Sequence, residues 1–408
     1  MLIRLAFRNI WRNRRRTLIT MFSMAFGLAL AIFFISWGAG VYARLINQAV
    51  RLQAGHVTLE HPGYRDAPAV DLFVPGSSKI IEELSQWPEV ERVKPIVLGQ
   101  GMAKSGAGSL GVAVVGVLPS AEAASSPLVK NLSQGKYLAD NDGPWCVVGK
   151  KLALKLNLGV GKKLVIATND VGGNLVEELC RVKGIYDTGS DEIDTYLVQV
   201  PIGFARNLFR MPEDSVTQLG VILRKADFQK RVLKRLSGHF PAGRVAARAW
   251  QEVMPEVASY IRMDKSSNWI FQAILLFLVL FTIFNTMLMS VLERRREFAV
   301  LMALGTKPSQ IASLIFFESA FLGALGCAAG IVLGGVVALV FNVVGIDLAW
   351  FVKEGISISG FALSTRIYSK VTPGILLVPS ILVFAAILVV SVIPMRRAVK
   401  FSIADVLR

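Results

Sequence analysis

Gly106, Gly108 and Gly111 stand at the G-x-G-x-x-G spacing that lets a backbone approach a dinucleotide pyrophosphate. That chemistry needs a helix N-terminus after the glycines, yet Leu110 to Leu118 is a β-rich run, so no dinucleotide cradle is expected. Gly143 to Lys151 (GPWCVVGKK) has the look of a phosphate-binding loop. Its second glycine comes one residue late, and Lys151 stands where a magnesium-binding Ser or Thr belongs. His56 and His61 are the only close histidine pair and have no cysteine near them, so no metal site is expected. Cys146, Cys180 and Cys327 lack C-x-x-C spacing, and Cys146 with Cys180 is left as a candidate pair. No nucleophile elbow, zincin motif or kinase set occurs. The chain is therefore expected not to be an enzyme, to hold no catalytic, cofactor or metal residues, and to depend on another protein for energy.

What these residues sit on is a membrane protein. Of 408 residues, 53% are hydrophobic, and the mean hydropathy is +0.52, too apolar for an ordinary soluble chain. The net charge of +16 gathers beside apolar runs rather than on an aromatic-interleaved surface, which excludes nucleic acid as the expected partner. A membrane helix needs about 20 apolar residues. Residues 17–43, 266–292 and 371–395 carry no charge, and 308–346 carries only Glu318. The spans are placed at 17–43, 266–292, 311–346 and 371–395. Although Arg14 to Arg16 precede it as in a signal peptide, the first run is long and is expected to stay uncleaved.

Lys and Arg concentrate on cytoplasmic flanks. Arg4, Arg8, Arg12 and Arg14 to Arg16, then Arg294 to Arg296 with Lys307, then Arg396, Arg397, Lys400 and Arg408 put both termini inside. The expected fold is thus α-helical membrane, four helices with N and C termini in, with a large α+β extracytoplasmic domain at 44–265, a second outer loop at 347–370 and a cytoplasmic tail at 396–408. Strands are expected at 57–60, 110–118, 163–168 and 219–223, and an amphipathic helix over 226–240. Trp250, Val253, Val257 and Ile261 at helical spacing predict a stalk over 246–265, bent at Pro255 and continuous with the second span.

Four features carry mechanism. Residues 1–16 form an amphipathic elbow, with Arg4, Arg8, Arg12 and Arg15 on one face and Ile3, Phe7, Ile10 and Trp11 on another, suited to the inner leaflet. The loop 293–310 is richer than a topology signal requires. Its arginines lead into a short helix with Phe298, Leu301 and Met302 or Leu304 as a docking face, Gly305 to stop it and Pro308 to start the next helix. Gly326, Gly330 and Gly334, with Gly323 nearby, make a small-xxx-small face for a neighbouring helix, in this chain or across a dimer. Glu318 is expected to be a helix-paired or interfacial carboxylate rather than a proton carrier.

With that topology in place, the chain resembles the FtsX/MacB/LolC family of ABC transporter permeases over nearly its whole length. ERRREFAVLMALGTKPSQI (293–311), IPMRRAVKFSIADVLR (393–408) and NIWRNRRRTLIT (9–20) carry the resemblance inside; VAVVGVLP (112–119), VVGKKLALKLNLGVGKKL (147–164) and VKGIYDTGSDEIDTYLVQVP (182–201) carry it outside. The resemblance implies a coupling helix, with Glu293, Arg294, Arg295, Arg296, Glu297, Phe298, Leu301, Leu304 and Gly305 seated on an ATPase subunit. It also implies a second permease chain, identical or not, around an ATPase dimer that holds the ATP and magnesium. ATP-driven closure would move the outer domains through the stalks, without threading a substrate across the membrane. Family members often have Glu-Ile-Gly where this chain has Glu297-Phe298-Ala299, a departure suggesting a particular partner.

Within the family, residues 44–66, including GHVTLEHPGY (55–64), resemble the LolC/LolE-like branch, which implies lipoprotein release from the bacterial inner membrane to a periplasmic carrier. Acyl chains would then enter between apolar span faces, where Phe26, Phe33, Phe34, Trp37, Phe277, Phe281 and Met287 are candidate contacts with lipid or substrate. MacB-like export of peptides or toxins is the alternative within the family. FtsX-like signalling to cell-wall hydrolases, without transport, is the alternative of another class, and the size of the 44–265 domain argues against it.

Overall fold

The computed structural model describes residues 2–53, 55–123, 126–240, 243–347, 356–358, 361–363 and 366–399. The chain divides into two compact units. One comprises residues 1–42, 262–348 and 366–408, the other 43–261 and 349–365.

The first unit is helical. A short helix α1 (Leu2–Ile10) and a 3-10 turn (Trp11–Asn13) lead into α2 (Arg14–Leu52), a helix of 39 residues. Four helices among the described residues are long and apolar enough to cross a membrane. They are α2 and three others, Pro255–Glu293, Pro308–Val343 and Pro373–Val399. The two-proline helix Pro373–Val399 carries Pro379 and Pro394 inside it. Of the expected outer loop, residues 348–355, 359–360 and 364–365 lie outside the described residues, as do 400–408 of the tail.

The second unit is α+β, and its larger part, residues 43–261, lies in sequence between the first and second spans. Its strands are β1 (Val57–Glu60), β2 (Val74–Pro75), β3 (Val90–Ser105), β4 (Gly108–Val117), β5 (Leu132–Gly135), β6 (Trp145–Gly149), β7 (Lys163–Asn169), β8 (Leu175–Tyr186), β9 (Leu197–Pro201), β10 (Ser215–Val216), β11 (Gln218–Leu223) and β12 (Ala246–Ala249). Ten of them make one sheet in the order β12-β1-β11-β3-β4-β9-β6-β8-β5, with β7 bridging β3 and β8; β2 and β10 pair separately. Alternating apolar residues fill cores on the sheet. Val57, Leu59, Val93, Leu219 and Val221 pack with Leu84, Val232 and Leu236 of the helices Ser77–Ser85 and Gln229–His239. Val114, Val148, Val182 and Val200 pack with Leu152, Ala205 and Leu208 of the helices Lys150–Lys155 and Ile202–Leu208.

This unit also holds the two glycine spacings. Gly106 and Ala107 form the turn of the β3–β4 hairpin, in which Ser105 pairs with Gly108. Lys150 and Lys151 instead make ion pairs with Asp187 and Asp191 at 2.6 and 2.7 Å. Both histidines accept backbone hydrogen bonds, His56 Nδ1 from Leu223 and His61 Nδ1 from Gly63. Cys146 and Cys180 are free thiols in the core, not a disulfide.

The stalk differs from expectation. Ala246–Ala249 is strand β12, pairing antiparallel with β1, because its backbone groups complete the sheet edge. A four-residue helix (Trp250–Val253) follows, and Pro255 opens the long helix rather than bending it. Proline suits a first helical position, where no N–H is needed.

Candidate functional site at the inner ends of the helices

In chain order, with the outer-domain helices Ser77–Ser85 (α3), Pro119–Ala123 (α4), Pro127–Lys130 (α5), Lys150–Lys155 (α6), Asp191–Tyr196 (α7), Ile202–Leu208 (α8), Gln229–His239 (α9) and Trp250–Val253 (α10) counted, the second span is α11 (Pro255–Glu293). The helix after it is α12 (Arg295–Ala303), and the third and fourth spans are α13 (Pro308–Val343) and α14 (Pro373–Val399). Helix α12 stops as the sequence led one to expect. Gly305 takes a φ of 95°, its N–H donates to the Met302 carbonyl, and the Thr306 N–H donates to the Leu301 carbonyl. That pair of bonds satisfies carbonyls left over at the helix end, and the positive φ is one a side chain resists. Pro308 then opens α13, with Gln310 accepting from the Lys307 backbone N–H at 3.0 Å.

The α12 helix is clamped by charges. Arg12 donates to both oxygens of Glu297 at 2.6 and 3.1 Å, and Arg16 makes a bidentate pair with Glu293. Arg294 donates to Glu297 at 3.1 Å and to Glu318 at 2.9 Å; Asn9 donates to the same Glu318 oxygen at 2.8 Å. Glu318 is thus a paired carboxylate. The Arg12 guanidinium, with help from Arg294, holds the Glu297 carboxyl below its ordinary range. Neither Arg12–Glu297 nor Arg16–Glu293 was foreseen. A signal was present, since Arg12 and Arg16 lie one helical turn apart, as do Glu293 and Glu297.

Phe298 is the main correction. It is 1% exposed and packs with Ala6, Val291, Ile311, Leu314 and Ala398, so it cannot belong to an open docking face. Leu301 and Met302 lean on the same cluster. The apolar side of α12 buries itself against its own unit, because a short helix gains its stability from such packing. The outward stripe is Arg296, Val300, Ala303 and Leu304, with Leu304 79% exposed. Arg295 is also outward.

The glycine face packs inside the chain. A Cβ on Gly326 would lie 2.9 Å from Met24, one on Gly330 would lie 2.9 Å from Leu28, and one on Gly334 would lie 2.9 Å from the Ala29 Cα. Small residues here let α13 and α2 approach closely, while Gly323 faces Ile387 of α14.

The aromatic candidates divide. Phe26, Phe277 and Phe281 are more than half exposed on the spans. Phe33 meets Phe341 of α13 and Phe34 meets Phe271 of α11 edge-on, so these two join helices, while Trp37 stacks on Phe33 within α2. Met287 is 7% exposed, inside the helix core.

Four apolar helices, an α+β domain after the first of them and a charged, capped helix between the second and third make up a multi-pass membrane protein. Residues 17–238 match the MacB-like periplasmic core domain and residues 269–403 match the FtsX-like permease C-terminal domain. The chain belongs to this family of ABC transporter permeases. It is 24% identical over 361 residues to the lipoprotein-releasing system transmembrane protein LolC of Neisseria meningitidis, covering 83% of each chain. It is 25% identical to an uncharacterized ABC transporter permease of Methanocaldococcus jannaschii, covering 84% of each. Among solved structures, the periplasmic region of MacB from Actinobacillus actinomycetemcomitans matches with 14% identity and a TM-score of 0.36, covering 50% of this chain and 92% of that one.

Proposed function

We propose that this chain is the permease subunit through which a separate ATPase, holding ATP and magnesium, drives conformational change in the periplasmic domain, and that its work is lipoprotein release from the bacterial inner membrane. The observation that carries the coupling part is the outward stripe of Arg296, Val300 and Leu304 on a helix whose other side is buried and whose root is tied by Arg12, Arg16 and Glu318. Such a helix presents a basic and apolar ridge while resisting displacement, which is what a lever inserted in a partner's cleft requires. The lipoprotein part is supported by the similarity to LolC proteins of lipoprotein-releasing systems and by the exposed Phe26, Phe277 and Phe281 on the spans.

The test is affinity purification of the full chain after crosslinking in membranes, with Leu304→Asp as comparison. Recovery of an ATPase subunit and acylated lipoproteins with the native chain, and loss of the ATPase with Leu304→Asp, is the expected outcome. An ATPase that stays bound to Leu304→Asp removes the coupling assignment. Because the chain is also 25% identical over 364 residues to a pyoverdine export ATP-binding/permease protein of Pseudomonas aeruginosa, recovery of an adaptor and an outer-membrane duct would favour export instead.

A further inference from the structure

Helix α1 does not continue the line of α2. Met24, Leu28 and Ile32 of α2 lie against Gly326, Gly330 and Gly334 of α13, so these two helices run side by side in the same direction. Carried back at that register, Arg16 comes level with Glu318, and Phe7 on an unbroken helix would come level with Ser309. Instead the Phe7 ring meets Phe321 edge-on at 5.8 Å, and Asn9 donates to Glu318 at 2.8 Å. The 3-10 turn Trp11–Asn13 makes the difference. Across it the Thr17 hydroxyl donates to the Ile10 carbonyl at 2.6 Å, a seven-residue separation that continuous helix would hold at about 10 Å. The chain therefore folds back at an elbow, and α1 lies across α13 beside Phe321, within the stretch after Glu318 that carries no charge as far as Asp347.

Arg4, Arg8, Arg12 and Arg16 follow one another at four-residue spacing. A helix turns in 3.6 residues, so each step moves the next arginine about 40° round the axis. The row winds from an open face into the carboxylates: Arg12 and Arg16 hold Glu297 and Glu293, and Arg294 holds Glu318. Those three glutamates are thereby matched, and no acidic residue precedes Glu60 in the chain. Arg4 and Arg8 are exposed, as are Arg14 and Arg15 at the elbow; among the described residues none of these four has an ion pair. Next to Arg4 and Arg8 on α1, Ile3 and Phe7 are 52% and 47% exposed, whereas Ala6 and Ile10 are buried. The open face of α1 is thus half cationic and half apolar.

We propose that α1 and its elbow bind anionic phospholipid of the cytoplasmic leaflet, with Arg4, Arg8, Arg14 and Arg15 on the headgroup phosphates and Ile3 and Phe7 at the edge of the acyl chains. Guanidinium groups take phosphate oxygens in charge-assisted hydrogen bonds, and a helix with adjoining basic and apolar faces lies in the plane of the interface. Zwitterionic lipid brings no net charge to match cations that the chain itself leaves unmatched; anionic lipid does. A soluble partner would have to pass the headgroups to cover Phe7, which stands beside an apolar stretch of α13. Because Asn9 and Arg12 belong to the same segment, the leaflet that holds α1 also steadies Glu318 and Glu297 at the root of α12. The assignment stands whether or not the chain releases lipoproteins.

The experiment is native mass spectrometry of the full-length chain, washed free of bulk lipid in mild detergent and then offered an equimolar mixture of phosphatidylglycerol and phosphatidylethanolamine. Retention of phosphatidylglycerol in excess is expected. Arg4→Gln combined with Arg8→Gln should lower that excess about tenfold or more, since each cation near an anionic surface is worth about fivefold. Lys230→Gln combined with Lys234→Gln removes the same charge from exposed positions of α9 in the outer domain and should leave it unchanged. No preference in the native chain, or an equal preference in the arginine variant, overturns the proposal. Glycerophosphoglycerol, the headgroup without chains, should not compete; competition by it would mean a free-phosphate site and overturns it too. A second measurement reads the apolar half. The three native cysteines are buried, so in nanodiscs containing phosphatidylglycerol a water-soluble maleimide should modify Phe7→Cys at least tenfold more slowly than Leu304→Cys. Equal rates would place α1 in water, and protection accompanied by crosslinking of two Phe7→Cys chains would assign the face to a second copy of this chain; either result overturns the lipid assignment.

Discussion

Arg294 and Glu318 form an ion pair in which Nη1 donates to both carboxylate oxygens, at 2.9 and 3.2 Å, with only 13% and 11% of the two side chains exposed. The arginine precedes α12 and the glutamate lies on α13, so the pair closes the turn between the second and third spans from within. Breaking one partner of a buried pair typically costs about 3–5 kcal/mol, because the other charge is left desolvated. Glu318→Ala should therefore lower the thermal midpoint of the detergent-purified chain markedly. The double exchange Arg294→Glu with Glu318→Arg should recover part of the loss, whereas no recovery would mean that the pair is incidental to stability.

The approach of α13 to α2 at Gly334 leaves no room for a side chain, since the nearest atoms include the Ala29 backbone, which cannot swing away. Gly334→Val is expected to cost about 1–3 kcal/mol through forced separation of the helices. Gly335→Ala, where the new methyl would meet only Leu376 at 3.7 Å, should be neutral. Thermal midpoints of the two variants in one detergent distinguish these outcomes.

His56 is buried at the start of β1, and desolvation, aided by the Arg51 charge, pushes its pKa down to about 4 from an ordinary value of 6.5. Its Nδ1 is already an acceptor for the Leu223 N–H at 3.1 Å, so protonation there breaks a bond. The unfolded chain binds this proton first as pH falls. The stabilisation, about 3 kcal/mol, is thus fully present above pH 6.5 and lost progressively down to about pH 4. Hydrogen exchange at Leu223 in the intact chain should accelerate across that window beyond the change in intrinsic rate, and His56→Gln should flatten the dependence.

Lys94 and Glu122 are an ion pair in the outer domain, 1% and 2% exposed, and Lys94 also donates to the Arg51 carbonyl at 2.8 Å near the end of α2. Burial pushes the Lys94 ammonium pKa down and the Glu122 carboxylate opposes it. Lys94→Met alone should destabilise the domain by about 3–5 kcal/mol, and Lys94→Met with Glu122→Leu should recover most of that. Chemical unfolding followed by tryptophan fluorescence reads both. If the double variant is no better than the single one, the carbonyl contact at Arg51 is what matters.

Much of this architecture was legible in the residues because it is local. Uncharged runs of span length, the β1 segment from Val57 to Glu60, and Gly305 and Pro308 at the helix boundary all act through their own backbone or immediate neighbours. The failures came where distant residues decide. Phe298, Leu301 and Met302 do share a face of α12, but whether that face points outward depends on Ala6 and Ala398, more than 90 residues away on either side or further. Ala246 to Ala249 has no strong strand character of its own and is extended because β1 offers it hydrogen-bond partners. The arginine–glutamate clamp joins segments separated by about 280 positions, and only the matching one-turn spacing hinted at it.

The pairing of β1 with β12 brings Val57 opposite Ala249, so the outer domain begins and ends on neighbouring strands, about 5 Å apart. A domain joined at one edge like this is a cassette. The separation of its two attachment points is set by that one strand pair and not by the length of the chain between them.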